Sequence, residues 1–185
     1  MSFSTDTNLH SSANVFLETG TFHGGGVRKA LDAGYKKVIS IEIHEPLFKQ
    51  NLETFKKEIE EGSVELFLGD SGHILGSIVE NINEPIFYWF DAHDQTMNDA
   101  GVGELKCPIL QELNQIMQSR DEFKRKLDTL IIDDMRLIEK RDVGWNIDLT
   151  EFYAAIWKFN KDFRLSREAG FIPHDILRCE YKFLS

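Results

Sequence analysis

Short apolar runs alternate with amphipathic stretches along most of the chain. Val15–Glu18, Val38–Ile43, Val64–Leu68, Ile86–Phe90 and Leu127–Ile132 each hold a few consecutive apolar or β-branched residues and read as strands. Between them, apolar positions recur at helical spacing. Val27–Ala33 follows the first strand, and Phe48, Leu52, Phe55 and Ile59 lie on one face of a helix that Gly62 ends. Ile74–Ile82 forms the next helix. Leu105, Ile109, Leu113, Ile116 and Met117 share a face of another that has Pro108 near its start, and Leu149–Phe159 forms an aromatic-rich helix. Phe163–Ser166 and Ile176–Phe183 read as a closing pair of strands. Strands separated by helices predict an α/β fold: a mostly parallel seven-stranded sheet, helices on both faces, and a closing antiparallel strand. Right-handed crossovers place the C-terminal ends of the parallel strands on one edge, outside which ligands of open α/β sheets bind. That edge collects Glu18, Gly20, Glu42, Asp70, Ser71, Asp91, His93, Asp94, Asp133 and Asp134. Acids gathered there are unfavourable unless a cation or a donor-rich ligand meets them.

Composition narrows the classes. With 185 residues, residues 15–185 are read as one domain behind a flexible polar segment, 1–14. The net charge of −10 and the lack of a basic patch disfavour nucleic acid and anionic membranes as partners. Cys107 and Cys179 make neither a disulfide framework nor a metal motif, and no leader or membrane-length apolar run is visible, so a cytoplasmic protein is expected.

The turn after the first strand carries the most information. Glu18-Thr19-Gly20-Thr21-Phe22-His23-Gly24-Gly25-Gly26 joins a strand to a helix. A phosphate-binding P-loop needs Gly-Lys-Ser/Thr at its end, where Gly25, Gly26 and Val27 stand. A dinucleotide fingerprint needs glycine where Phe22 stands. What remains is Glu-x-Gly-x-x-x-Gly, and its acid suits a positively charged ligand better than a diphosphate.

This turn, Glu42 ending the second strand and Gly69-Asp70-Ser71 after the third resemble class I S-adenosylmethionine-dependent methyltransferases, over about Val15 to Phe183. The resemblance implies a Rossmann-like fold and S-adenosyl-L-methionine as cofactor, with Glu18, Gly20, Thr21, Phe22, Gly24, Glu42, Asp70, Ser71 and Asp91 around it. In physical terms, Glu42 offers two acceptors to a ribose diol. Gly20 and Gly24 let the methionine part approach backbone. Asp70 and Ser71 can read the adenine edge, or Asp70 can simply cap the next helix. Phe87-Tyr88-Trp89-Phe90-Asp91-Ala92-His93 and Leu130-Ile131-Ile132-Asp133-Asp134 are similar to small glycan and natural-product methyltransferases and, distantly, to macrocin-type sugar O-methyltransferases. By that likeness Asp91, Asp133 and Asp134 hold a divalent metal, and such an oxygen set suits Mg2+ or Ca2+ rather than zinc. The macrocin-type base is an acid two residues after the first ligand. Here His93 holds that place, which makes His93, or its neighbour Asp94, the candidate base.

The function this implies is O-methylation of a sugar, glycan or similar small hydroxyl compound. Two alternatives stand beside it: another nucleotide-ligand enzyme on the same sheet, and a cofactor-binding protein without turnover. The Asp91–Gly103 loop is expected to supply most of the lid. So short a chain is compatible with a homodimer or with a place in a larger multidomain enzyme.

Overall fold

The computed structural model describes residues 9, 12–93, 106–140 and 145–181. Seven strands form one sheet in the order β3-β2-β1-β4-β5-β7-β6. They are β1 Val15–Thr19, β2 Lys37–Glu42, β3 Val64–Leu68, β4 Ile86–Phe90, β5 Thr129–Ile132, β6 Phe163–Glu168 and β7 Ile176–Tyr181. Strands β1 to β5 pair in parallel, and β7 runs antiparallel between β5 and β6. This is the sheet the alternating pattern predicts.

Strand parity sorts the core. Leu17, Ile41, Tyr88, Phe90 and Ile132 face α4 (Ser71–Val79), α5 (Ile109–Ser119) and α8 (Leu149–Phe159). Phe16, Val38, Phe87, Trp89 and Ile131 face α1 (Gly25–Asp32) and Phe55. Because β1 and β4 are fully buried, they read as continuous apolar runs, as strands covered on both faces do. Of the N-terminal segment, Ala13 is buried and the Leu9 carbonyl accepts a bond from Tyr35 Oη at 2.8 Å.

Several boundaries differ from the sequence reading. The helix expected through Ile59 divides into α2 (Glu45–Thr54) and α3 (Lys56–Glu60), because buried Phe55 leaves helical geometry at φ −108°, ψ 20°. Helix α4 starts at Ser71, since Asp70 caps it by accepting from Gly72 N–H at 2.9 Å. Strand β5 begins at Thr129, two residues later than expected. Asp128 is taken instead by Ile86 N–H at 2.9 Å and by the Arg120 guanidinium at 3.1 Å, with both side chains fully buried. Two short helices were not expected, α6 (Glu122–Arg125) and α7 (Met135–Ile138).

Candidate active site

The strand order reverses between β1 and β4, the place where ligands of open α/β sheets bind outside the C-terminal ends of the strands. Gly20 leaves β1 at φ +87°, and a Cβ there would lie 2.9 Å from the Asp91 carbonyl oxygen. The demand for glycine therefore comes from the β4 loop packing on the β1 loop. Gly24, at φ +76°, is likewise pressed by the Phe55 ring and Asn51 of the α2 region. The close approaches expected of a ligand at both glycines are made by the protein itself. Gly25, the first residue of α1, has open space where a side chain would stand.

Hydrogen bonds fix the turn to β2 and α2. Gly20 and Thr21 both donate to the Ile41 carbonyl, at 2.9 and 3.2 Å. Phe22, at φ +49°, donates its N–H to Glu42 Oε2 at 2.7 Å, and Asn51 Nδ2 donates to the Phe22 carbonyl at 2.6 Å. Glu42 Oε1 accepts from His44 N–H at 2.8 Å. Each Glu42 oxygen thus holds one loop donor and keeps a further lone pair. The group is buried, which raises its pKa against those two bonds. Thr21 is buried, its hydroxyl 2.5 Å from Ser40 Oγ, which in turn donates to Glu18 Oε1 at 2.7 Å. The Thr21 hydroxyl is therefore engaged within the protein, and its backbone is what remains for a cofactor. Burial pushes the Glu18 carboxyl up to about 8 despite the Ser40 bond, and the nearby charges of Asp91 and Glu42 raise it further. An acid so placed is poised to ionise when a cation arrives.

Across the crevice, His93 lies between two carboxylates. Its Nε2 is 3.0 Å from Asp134 Oδ2 and 3.5 Å from Asp91 Oδ1. Burial works to lower its pKa, but the bonds and charges of Asp134 and Asp91 prevail and hold it up to about 10. In this arrangement His93 carries the proton that a base would have to lack. Asp134 is itself in the left-handed region, at φ 57°, and Arg136 ties it to Asp175. Burial raises Asp134, yet His93 and Arg136 outweigh it and hold the pKa down. Asp133 accepts the Asp134 N–H at 2.7 Å, but burial and the charges of Asp91 and Asp134 prevail and push it up to about 7.

Two sets of potential metal ligands converge within 4.8 Å, Asp91–His93–Asp134 and Asp133–Asp134–Asp175. The expected triad of Asp91, Asp133 and Asp134 is shared between these sets, because His93 takes the place beside Asp91 and Asp175 the place beside Asp133. Two carboxylates and an imidazole fit a divalent cation as a donor set. Asp94 lies outside the described residues, as does most of the expected lid.

Two site residues escaped the sequence reading. Asp175 precedes β7, and nothing local marks it. Glu112 could have been found: it falls three residues after Ile109 and four before Ile116, on the apolar face of α5. An acid in that stripe is a buried acid, and Glu112 is 1% exposed. Trp145 completes this wall, its ring 5.0 Å from the His93 ring and inclined by 30°. Trp89, by contrast, is core.

No protein-family model matches the chain, and no curated protein matches it. Solved structures do. The SAM complex of the O-methyltransferase TomG from Streptomyces achromogenes, involved in tomaymycin synthesis, aligns over 92% of this chain and 74% of its own, with TM-score 0.60 and 14% identity. The chain has the Rossmann-like methyltransferase fold. A caffeoyl-CoA O-methyltransferase assigned in Staphylococcus aureus aligns over 92% and 77% of the two chains, with TM-score 0.58 and 13% identity. The SAH-bound methyltransferase PaMTH1 of Podospora anserina aligns over 92% and 72%, with TM-score 0.56 and 15% identity. Among the described residues, no helix of this methyltransferase fold is long and apolar enough to cross a membrane.

Proposed function

We propose that this protein is an S-adenosylmethionine-dependent O-methyltransferase acting on a sugar or similar small hydroxyl compound, with help from a divalent cation. The observation that carries the reading is the pairing of Glu42 with the Glu18–Gly24 turn at the β1/β4 switch point. Both Glu42 oxygens position loop N–H groups while keeping lone pairs for a diol. Glu18 adds an acid behind the turn for the cofactor's cationic part. The neighbouring folds crystallised with S-adenosylmethionine or S-adenosylhomocysteine support the same cofactor here.

Asp134, shared by the two converging donor sets, is the residue we propose to anchor a metal, with Asp133 and Asp175 beside it and His93 kept for the proton. A bound divalent cation lowers the pKa of a coordinated hydroxyl and fixes its direction. The chain's own contribution is to place carboxylates on both sides of His93 and to cover them with Trp145. For His93 to accept the acceptor's proton, the hold of Asp91 and Asp134 on it must be relieved. The same protonated state favours a second reading, cofactor binding without turnover.

Calorimetry with S-adenosylhomocysteine, with and without Mg2+, tests both parts. Binding is expected, with an added thermal stabilisation by Mg2+ that Asp134→Asn removes. A nicotinamide cofactor that binds where S-adenosylhomocysteine does not would overturn the proposal. Transfer of radiolabelled methyl to any of a panel of hydroxyl compounds separates the enzyme from the inert binder.

A further inference from the structure

Helix α4 follows β3, and the turn that opens it, Asp70–Gly72, stands at the sheet edge where the cofactor's base is expected. Along its length α4 packs on α5. Gly72 and Gly76 form the close side of that contact. A Cβ on Gly72 would lie 2.5 Å from Gln111 Oε1, and one on Gly76 would lie 2.7 Å from Ser119 Oγ. Gln111, Gln115 and Ser119 recur every four residues and so share one stripe of α5.

Gln115 enters the α4 ladder itself. Its Nε2 donates to the Gly72 carbonyl, and its Oε1 accepts the Gly76 N–H at 2.7 Å. In an uninterrupted helix these two backbone groups, four residues apart, bond each other. A side chain inserted into the ladder bends a helix locally. Packing does not call for it. The two glycines already let α5 approach, and an apolar residue at 115 would leave α4 its own bond. What the inserted amide does set is the direction of the turn ahead of it. The same turn is held from α5 a second time, by the Glu112 carboxyl near the Ser71 hydroxyl. Asp70 Oδ1 closes it by accepting the Gly72 N–H at 2.9 Å.

We infer that Gln115 is a positioning residue for the cofactor's base: through the α4 ladder it aims the Asp70–Gly72 turn at the amino edge of adenine. The inference rests on the methyltransferase reading, with the base at this turn. Recognition of a base edge depends on direction as much as on distance, because a hydrogen bond weakens steeply as its angle closes. Gln115 acts through Ser71 and Gly72, one helical turn away from the base.

S-adenosylhomocysteine and S-inosylhomocysteine, in which an oxo group replaces the amino group of the base, are the probes, titrated by calorimetry into the full chain. The wild type is expected to prefer the adenine ligand by at least about tenfold, the loss that follows from one unmade hydrogen bond at a buried edge. Gln115→Met keeps the side chain's length and leaves the two backbone groups to bond each other. Its Tm should stay close to wild type. Its preference for adenine should fall to within about threefold, through weaker S-adenosylhomocysteine binding and nearly unchanged S-inosylhomocysteine binding. A merely structural role would move both affinities together. Gln115→Glu keeps the acceptor for Gly76 and removes the donor to Gly72, so its loss of preference should be smaller, and it decides the question should Gln115→Met not fold. Equal weakening of both ligands, or an unchanged preference, would overturn the positioning role, as would a wild type that does not distinguish the two bases. A wild type that binds neither ligand overturns the underlying methyltransferase reading, and this role with it.

Discussion

His93 holds two carboxylates apart that would otherwise face each other. Removing its ring leaves Asp91 and Asp134 without the cation between them, while Arg136 still holds Asp134 from the far side. His93→Ala is therefore expected to lower turnover by roughly 10²–10⁴-fold, the usual range for a positioned proton carrier. S-adenosylhomocysteine affinity should stay nearly unchanged, because the proposed cofactor site is built on Glu42 and the Glu18–Gly24 turn. Mg2+ should stabilise the variant more than the wild type, since it restores positive charge between the acids. A variant that keeps more than about a tenth of wild-type turnover would remove His93 from the proton path. Glu42→Ala makes the opposite separation. It frees the Phe22 and His44 N–H groups and removes the diol acceptor, so S-adenosylhomocysteine binding should weaken by about 1–3 kcal/mol. Calorimetry that finds equal affinity for the two proteins would show that the cofactor lies elsewhere.

Between elements, a fully buried ion pair lies at the end of the sheet away from the site. Arg120, where α5 ends, meets Asp128 before β5, and Asp128 also accepts the first N–H of β4. One buried pair thus joins a helix to the starts of two strands. Asp128→Ala leaves the Arg120 charge buried and unpaired, which should destabilise the fold by about 3–5 kcal/mol in urea titration. At temperatures where it remains folded, its S-adenosylhomocysteine affinity should match wild type; a variant with unchanged stability would show that the Ile82 and Glu84 carbonyls, to which Arg120 also donates, already compensate it. The same region shows why some elements were legible and others were not. Strands β1, β2 and β4 are short apolar runs buried on both faces, so hydropathy alone locates them. Asp128 falls just outside the apolar run of β5, and its partners lie 8 and 42 residues away, beyond any local pattern. Helix α7 depends on Asp175, whose carbonyl and carboxylate accept Met135 N–H and Arg136 N–H from the distant β7 side. The break at Phe55 arises because that ring must sit under Gly24. In the site, the acids at the strand ends were legible because topology sends every parallel strand to one edge. The pairing of His93 with Asp134, and of Asp133 with Asp175, depends on loop conformations that spacing does not encode.

Over the whole molecule, acids outnumber bases, 31 to 21, and several acids are buried around one crevice. This sets how stability and cofactor binding depend on pH. Burial first, and then neighbouring charge, raises Glu18 to about 8 and Glu112 to about 7, both from an ordinary carboxyl value of 4.5. In the unfolded chain both groups release their protons near 4.5, so between that pH and the raised values the folded state holds more protons. Stability must then fall as pH rises through this window. The contribution is fully present below pH 4.5 and is lost once pH passes the raised value near 8. The loss is expected to be on the order of a few kcal/mol, given roughly 1.4 kcal/mol per pKa unit. Asp133, raised to about 7, and His93, held at about 10 against an ordinary 6.5, add to the same fall, so urea titrations from about pH 5.5 to 8.5 read the summed trend. The cofactor reverses it. Its ammonium beside Glu18 favours the carboxylate, so binding near pH 7 should release a proton, and affinity should rise toward pH 8. Calorimetry in two buffers of different ionisation enthalpy reads that proton directly. Glu18→Gln should abolish the release, flatten the affinity profile and make the stability profile shallower. Proton release that persists in Glu18→Gln would assign the titration to another acid of the crevice, and stability that rises with pH in the wild type would show that Glu18 is ionised in the free protein.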